Sequence, residues 1–195
     1  MIKQSEILEK IGKEFYGEKF NLDNQDLFFC YKKAFEIILT RSEKINSKGF
    51  MIIGGIGVGK SAMVKIMQNF FKDSDSKFKW VNAYKLKDLS EAFTSLEIKE
   101  SYGYGFKGDL YIDDIGLTTD VKRYGNTINI ISEIILERYD LFISSKIKTH
   151  FSSNLPAHSK DENVQTLIKT YGSRVVDRMK EMCEIINFNG ESKRI

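Results

Sequence analysis

Residues 54–61 read Gly-Gly-Ile-Gly-Val-Gly-Lys-Ser and satisfy the pattern G-x-x-x-x-G-K-[ST] at every fixed position. Those residue types suit one chemistry, the holding of a triphosphate. Phosphate oxygens need several donors close together, and backbone N–H groups can crowd around them only where no Cβ intervenes. Gly54, Gly57 and Gly59 are read as giving that approach, with Gly55, Ile56, Val58 and Ala62 completing the loop and helix start. Lys60 is placed to reach the β- and γ-phosphates of ATP, and the Ser61 hydroxyl to sit on Mg²⁺. The competing reading is a glycine-rich turn with no ligand. Context opposes it: the apolar run Phe50–Ile53 reads as a buried strand, and Met63, Ile66, Met67 and Phe70 follow at helical spacing.

A second group lies in Asp109–Gly116, DLYIDDIG. Leu110, Tyr111 and Ile112 form a short strand that runs into Asp113 and Asp114, at the strand end where a doubly wound sheet binds its ligand. Beside a phosphate loop, Asp113 would hold Mg²⁺ and Asp114 would orient or deprotonate an attacking water. Asp-Asp before Ile-Gly is also an ordinary turn sequence, so the pair gains its meaning from the upstream lysine. Asn154 ends a strand read over Ile147–Ser153, where it either meets the γ-phosphate or the attacking water, or caps the turn at Pro156. Arg174 and Arg178 lie four apart on one face of a helical segment read over 163–182.

The elements that position these groups alternate between strand and helix. A short amphipathic helix is expected over 5–16, carrying Ile7, Leu8, Ile11 and Phe15. A second is expected over about 25–40, with Phe28, Tyr31, Phe35 and Ile38 on one face and Asp23 or Asn24 as its cap. These two either cover the sheet or form a partner-binding appendage; packing is favoured, because aromatic stripes of this kind usually enter a core. Lys77–Asn82 alternates as a strand, and Leu86, Leu89 and Phe93 follow at helical spacing. Residues 94–108 read as a polar, glycine-rich loop. Its Tyr102, Tyr104 and Phe106, among Lys99 and Lys107, suit either base stacking on single-stranded DNA or aromatics tucked onto the surface. A helix over 126–139 places Ile128, Ile131 and Ile135 on the core side, and Cys183–Phe188 is a last strand before Gly190–Arg194.

Composition sets the outer bounds. The 195 residues are 42% hydrophobic and 29% charged, which suits one globular domain. A net charge of +3 is too small to imply nucleic-acid binding by itself. Cys30 and Cys183 have neither metal-ligand spacing nor a disulfide framework, and read as buried small hydrophobes of a reducing compartment. No apolar run approaches a membrane span and the N-terminus lacks a signal-peptide core, so a cytoplasmic protein without membrane contact is expected. His150 is read as a satisfied strand residue, and neither it nor His158 is assigned a role.

Taken together, GGIGVGKS, YIDDIG, ILERY, FSSNL, YGSRVVDRM and NFNGESKR resemble the DnaC/IstB group of AAA+ ATPases over roughly residues 48–194. The resemblance implies a three-layer α/β P-loop fold with a five-stranded parallel sheet in the order 5-1-4-3-2 and no separate helical lid. It implies a helical extension over 1–45 and an ATPase domain over 46–195. Asn154 becomes the γ-phosphate sensor, and Arg174, with Arg178 as the alternative, the arginine finger of a neighbouring subunit's site. The implied partners are a replicative helicase and further copies of the chain, with ATP and Mg²⁺ as cofactors. A transposition helper of the IstB type and an ATP-holding module with little turnover are the alternatives; a P-loop kinase would need an acceptor pocket and an arginine-bearing lid. Two departures stand out. Only about 47 residues precede the phosphate loop, fewer than a helicase-binding region plus linker, which leaves the partner open. Asp114 stands where AAA+ proteins at large more often carry Glu, which implies slow turnover.

Overall fold

The computed structural model describes residues 4–18, 20, 25–39, 48–116, 120–123 and 126–188. Five parallel strands make the central sheet: β1 (Gly49–Ile53), β2 (Phe78–Asn82), β3 (Asp109–Ile115), β6 (Thr149–Ser153) and β7 (Cys183–Asn187). Their spatial order is β2-β3-β6-β1-β7, which is the expected 5-1-4-3-2 read from the other edge. Parallel strands joined by crossovers need both faces covered. Successive residues of β1 show this directly, because Phe50 and Ile52 enter one apolar cluster and Met51 and Ile53 the other. Each such fully buried aliphatic or aromatic side chain is worth about 1.5–3 kcal/mol.

The first cluster unites the sheet with helices α1 (Gln4–Tyr16), α2 (Gln25–Leu39) and α3 (Lys60–Phe71). Leu8, Tyr31, Phe35 and Ile38 are buried there with Met63, Ile66 and Met67, whereas Phe15 and Phe28 remain largely exposed. The helices before the phosphate loop therefore cover the sheet. Lys148, buried and 111 residues from Ile37 in sequence, donates from Nζ to Ile37 O (2.7 Å) and Ile38 O (3.3 Å). It satisfies carbonyls in the last turn of α2 that have no helical partner. The proposed caps Asp23 and Asn24, and the terminal residues 189–195 with Gly190–Arg194, lie outside the described residues.

The second cluster carries α4 (Ala83–Ala92), α5 (Ser95–Tyr102), α6 (Ile130–Ser145), α7 (Leu167–Tyr171) and α8 (Ser173–Met182). Three expected elements differ here. Residues 95–102 form a helix inside the expected loop, because Thr94 and Glu97 close a capping box on its first turn. The helix expected from residue 126 starts at Ile130, where Asn129 Oδ1 accepts from Ser132 N–H (3.1 Å). Asn126–Asn129 is instead strand β5, paired antiparallel with β4 (Asp120–Arg123). The segment 163–182 is divided at Gly172, whose φ of 82° is left-handed and ends α7 before α8 begins. Nothing in α7 and α8 forms a separate lid, since Leu167, Val175, Val176 and Met179 all enter the second core.

Arg138 is the largest fully buried side chain among the described residues. Its guanidinium donates to Thr149 Oγ1 (2.8 Å), Phe106 O (2.7 Å), Gly108 O (2.8 Å) and Lys148 O (2.9 Å). Burial pulls its pKa down to about 10, against the opposing charge of Asp109. One side chain thus ties the 103–108 segment to the start of β6. Arg138→Ala removes the guanidinium donor from the carbonyls of Phe106 and Gly108, while Lys148 O keeps Leu110 N–H, and should lower stability by about 3–5 kcal/mol. A chemical-denaturation midpoint unchanged from wild type would refute that role.

His150 lies in β6 as the sequence suggests. Its Nδ1 accepts from Phe50 N–H (3.1 Å), and burial holds its pKa well below the ordinary value, so it is a neutral core residue.

Candidate nucleotide site

The glycine loop leaves β1 and enters α3 in two left-handed steps, Gly57 (φ 83°) and Gly59 (φ 106°), which side-chain-bearing residues adopt only with strain. Gly59 is the N-cap of α3 and offers no side-chain acceptor, so the first-turn N–H groups have no capping side chain. That is the arrangement in which a helix start receives phosphate oxygens. Gly54 has a different reason to be glycine. A Cβ there would lie 2.4 Å from Phe188 O, so the backbone of the segment after β7 also demands it.

Lys60 is 5% exposed. Its Nζ donates to Gly54 O (2.8 Å), Gly55 O (2.7 Å) and Asn154 Oδ1 (2.5 Å). The last contact joins residues 94 apart in sequence, and it exists because β6 lies beside β1 in the sheet. The lysine of the glycine loop and the asparagine at the end of the fourth core strand therefore share one point.

Asp113 and Asp114 occupy an irregularity in β3, where the register against β6 shifts between Ile112 and Ile115. Bulges of this kind re-aim side chains beside functional sites. Asp114 takes φ 55°, one of two non-glycine residues in the left-handed region among those described. Asp113 is buried and Asp114 half-buried. Ser152 holds the two together: its Oγ accepts from Asp114 N–H (2.9 Å) and donates to Asp113 Oδ1. The Tyr111 hydroxyl also reaches Asp113 Oδ1 (3.5 Å), and burial with that carboxylate nearby keeps its phenol protonated far above its ordinary pKa. Tyr16, at the end of α1, has a raised pKa as well, first from burial and then from the charge of Asp113.

These residues fit ATP and Mg²⁺: a cradle of positive-φ glycines, an uncapped helix start, a buried lysine and a buried carboxylate with a hydroxyl partner. Ser61, on the first turn of α3, and Asp113 are the oxygen donors that could hold a magnesium ion. Ser152 was not marked by the sequence. A serine in a strand buried on both faces must find a polar partner, and that was the available signal.

The two arginines separate in the structure. Arg178 lies over the ring of Tyr139 (4.2 Å) and donates to Tyr139 Oη (2.8 Å) and Glu181 Oε2 (3.3 Å). Arg174 is exposed in the first turn of α8 and, among the described residues, forms no ion pair with Asp177 or Glu181. Among the described residues, neither arginine is hydrogen-bonded to the glycine loop of its own chain. The lysine-and-aromatic segment is largely committed elsewhere. Lys99 pairs with Glu133 (3.0 Å) and Glu137 (3.1 Å), and Lys79 covers the ring of Tyr102 (3.9 Å). Tyr102 and Phe106 pack on the second core, while Tyr104 stays exposed under Lys107. No helix is long and apolar enough to cross a membrane among the described residues.

No protein-family model and no curated protein matches the sequence. Solved structures do match. The crystal structure of DnaI aligns at 16% identity over 100% of this chain and 95% of that one, with a TM-score of 0.66. The DnaC helicase loader aligns at 14% identity over 91% and 99%, with a TM-score of 0.60. AMPPCP-bound DnaA from Aquifex aeolicus aligns at 15% identity and a TM-score of 0.56, over 85% of this chain and 47% of that one. In fold, the chain is a three-layer α/β protein with a five-stranded parallel sheet, built as the DnaI and DnaC structures are.

Proposed function

We propose that this chain is an ATPase that acts as a nucleotide-dependent loader of a replicative helicase. The observation that carries the nucleotide half is the meeting of Lys60 Nζ with Asn154 Oδ1 at 2.5 Å above the glycine loop. A cationic donor and a neutral amide converge there, which suits a group that gains or loses a γ-phosphate. Ser61 and Asp113 would hold Mg²⁺, which neutralises phosphate charge when bound. Asp114 accepts a proton from the attacking water as its oxygen bonds to the γ-phosphorus. The β–γ bridging bond then breaks to leave ADP and phosphate. Asn154 positions that water or the γ-phosphate, and Arg174 supplies the guanidinium to the site of an adjoining copy.

Asp114→Asn separates binding from chemistry, because an amide cannot take the water's proton. ATP affinity should stay within about twofold while turnover drops by about 10²–10⁴. Asp113→Asn should instead weaken Mg²⁺-dependent binding. Calorimetry and phosphate release distinguish the two, and exchanged phenotypes would reverse the assigned roles.

The helicase half rests on the likeness to the structures of DnaI and of the DnaC helicase loader. A pull-down with the replicative helicase of the same cell, with and without ATP, tests it. Capture of a transposase in place of the helicase favours the IstB-like reading. Single-stranded DNA is a second proposed partner, supported by the likeness to a DnaA structure that holds it, and Tyr104 with Lys107 is the exposed place for a base.

A further inference from the structure

The end of the acidic strand is bonded directly to the segment that carries Arg174. Gly116 N–H, two residues after Asp114, donates to Tyr171 Oη at 2.8 Å. Tyr171 is buried and is the last residue of α7; Gly172, Ser173 and Arg174 follow it at once. On the other side, Ser153 Oγ donates to Ile115 O (2.9 Å) and accepts from Leu155 N–H (2.9 Å), which ties the acidic strand to the residue after Asn154. The same stretch then holds α7, since Leu167 N–H donates to Pro156 O (3.0 Å) and Ile168 N–H to Ala157 O (3.3 Å). Asp113–Gly116, Asn154–Ala157 and α7 thus form one hydrogen-bonded unit.

Two features let this unit transmit a displacement. Gly116 has φ 109°, and a Cβ there would meet the Leu155 side chain at 2.8 Å, so acidic turn and sensor turn are in direct contact. At the far end Gly172, with φ 82°, is the only residue between α7 and α8, so a shift of Tyr171 reaches the first turn of α8 through one peptide hinge. Packed elements joined this closely move together or not at all.

We propose that the Tyr171 hydroxyl is a positioning group which couples the acidic turn of a subunit's own nucleotide site to the placement of Arg174. Occupancy of one site thereby sets whether the guanidinium is presented to the next subunit. This rests on the nucleotide reading given above. Tyr171 touches neither nucleotide nor water in this scheme; it acts through Gly116 and Gly172.

The test uses the full chain with Ser173→Cys carrying an environment-sensitive fluorophore. The native Cys30 and Cys183 are 4% and 3% exposed, so the new thiol is the accessible one among the described residues. At a concentration where light scattering shows monomers, ATP with Mg²⁺ should change the emission. In the Tyr171→Phe background ATP should bind within about twofold of the parent while the emission change disappears. Turnover should fall about threefold to tenfold, the range one neutral hydrogen bond supplies. A merely structural tyrosine would lower the melting temperature and leave the ATP-driven change intact, and that result would overturn the proposal. Absence of ATP binding in the parent would instead overturn the nucleotide reading beneath it. If Tyr171→Phe does not fold, hydrogen exchange on the unsubstituted chain decides. Slower exchange over residues 171–176 on ATP binding supports the coupling, and unchanged exchange with ATP bound refutes it.

Discussion

Lys60→Ala should abolish ATP binding by this chain while leaving it folded. The ammonium is the one cationic side chain seen within the glycine loop, and charge-assisted hydrogen bonds to phosphate are worth about 1.5–3 kcal/mol each. Losing two of them weakens binding by about a hundredfold or more. The apolar core has no reason to change. Nζ is hydrogen-bonded to the carbonyls of Gly54 and Gly55 and to the side chain of Asn154, at the loop end of the sheet. Met63, Val64, Ile66 and Met67 keep their core packing. Calorimetric titration beside a thermal melt checks both halves. Wild-type affinity in a folded variant would mean that the phosphate loop has been misplaced.

Arg174→Ala is the second change with a large expected effect, and it tells an assembling ATPase from a self-contained one. The side chain is exposed and forms no ion pair with Asp177 or Glu181, so its removal should leave the melting temperature and monomer ATP affinity unaltered. An arginine finger contributes about 10³–10⁵ in rate, so hydrolysis should drop by that order and ATP-driven assembly should be lost. Mixing this variant with Lys60→Ala should restore part of the activity, because each supplies the half-site that the other lacks. Rescue cannot occur if Arg174 serves its own subunit. Failure to rescue, with both proteins folded and associating, moves the finger to Arg178 or makes the enzyme monomeric. Arg178 begins from a weaker position, because Tyr139 and Glu181 already engage its guanidinium.

The elements read correctly from the sequence are those with a strong local signal. Strand β1, the glycine loop and α3 stand in one unbroken stretch with a switch from continuous apolar residues to helical spacing. The misplaced elements lacked such a signal. Asn126–Asn129 contains one apolar residue and takes strand form through pairing with β4, which no helical or strand periodicity over four residues can announce. The helix at 95–102 was hidden by its polar composition, although Thr94 and Glu97 carry a capping-box spacing that was open to reading.

For the candidate site the same division has a physical cause. A triphosphate is bound by consecutive backbone N–H groups, so a candidate glycine loop with Lys60 and Ser61 must be contiguous, and the sequence alone can mark it. Asp113 and Asp114 were legible because a polar pair ending an apolar strand is itself a local pattern. The left-handed Asp114, the bridge through Ser152, the contact of Lys60 with Asn154 and the bond from Gly116 to Tyr171 depend on β6 lying between β3 and β1. Residues 38 to 94 apart in sequence meet there through strand pairing and, for Tyr171, through the packing of α7, which are properties of the folded chain that only the tertiary structure decided.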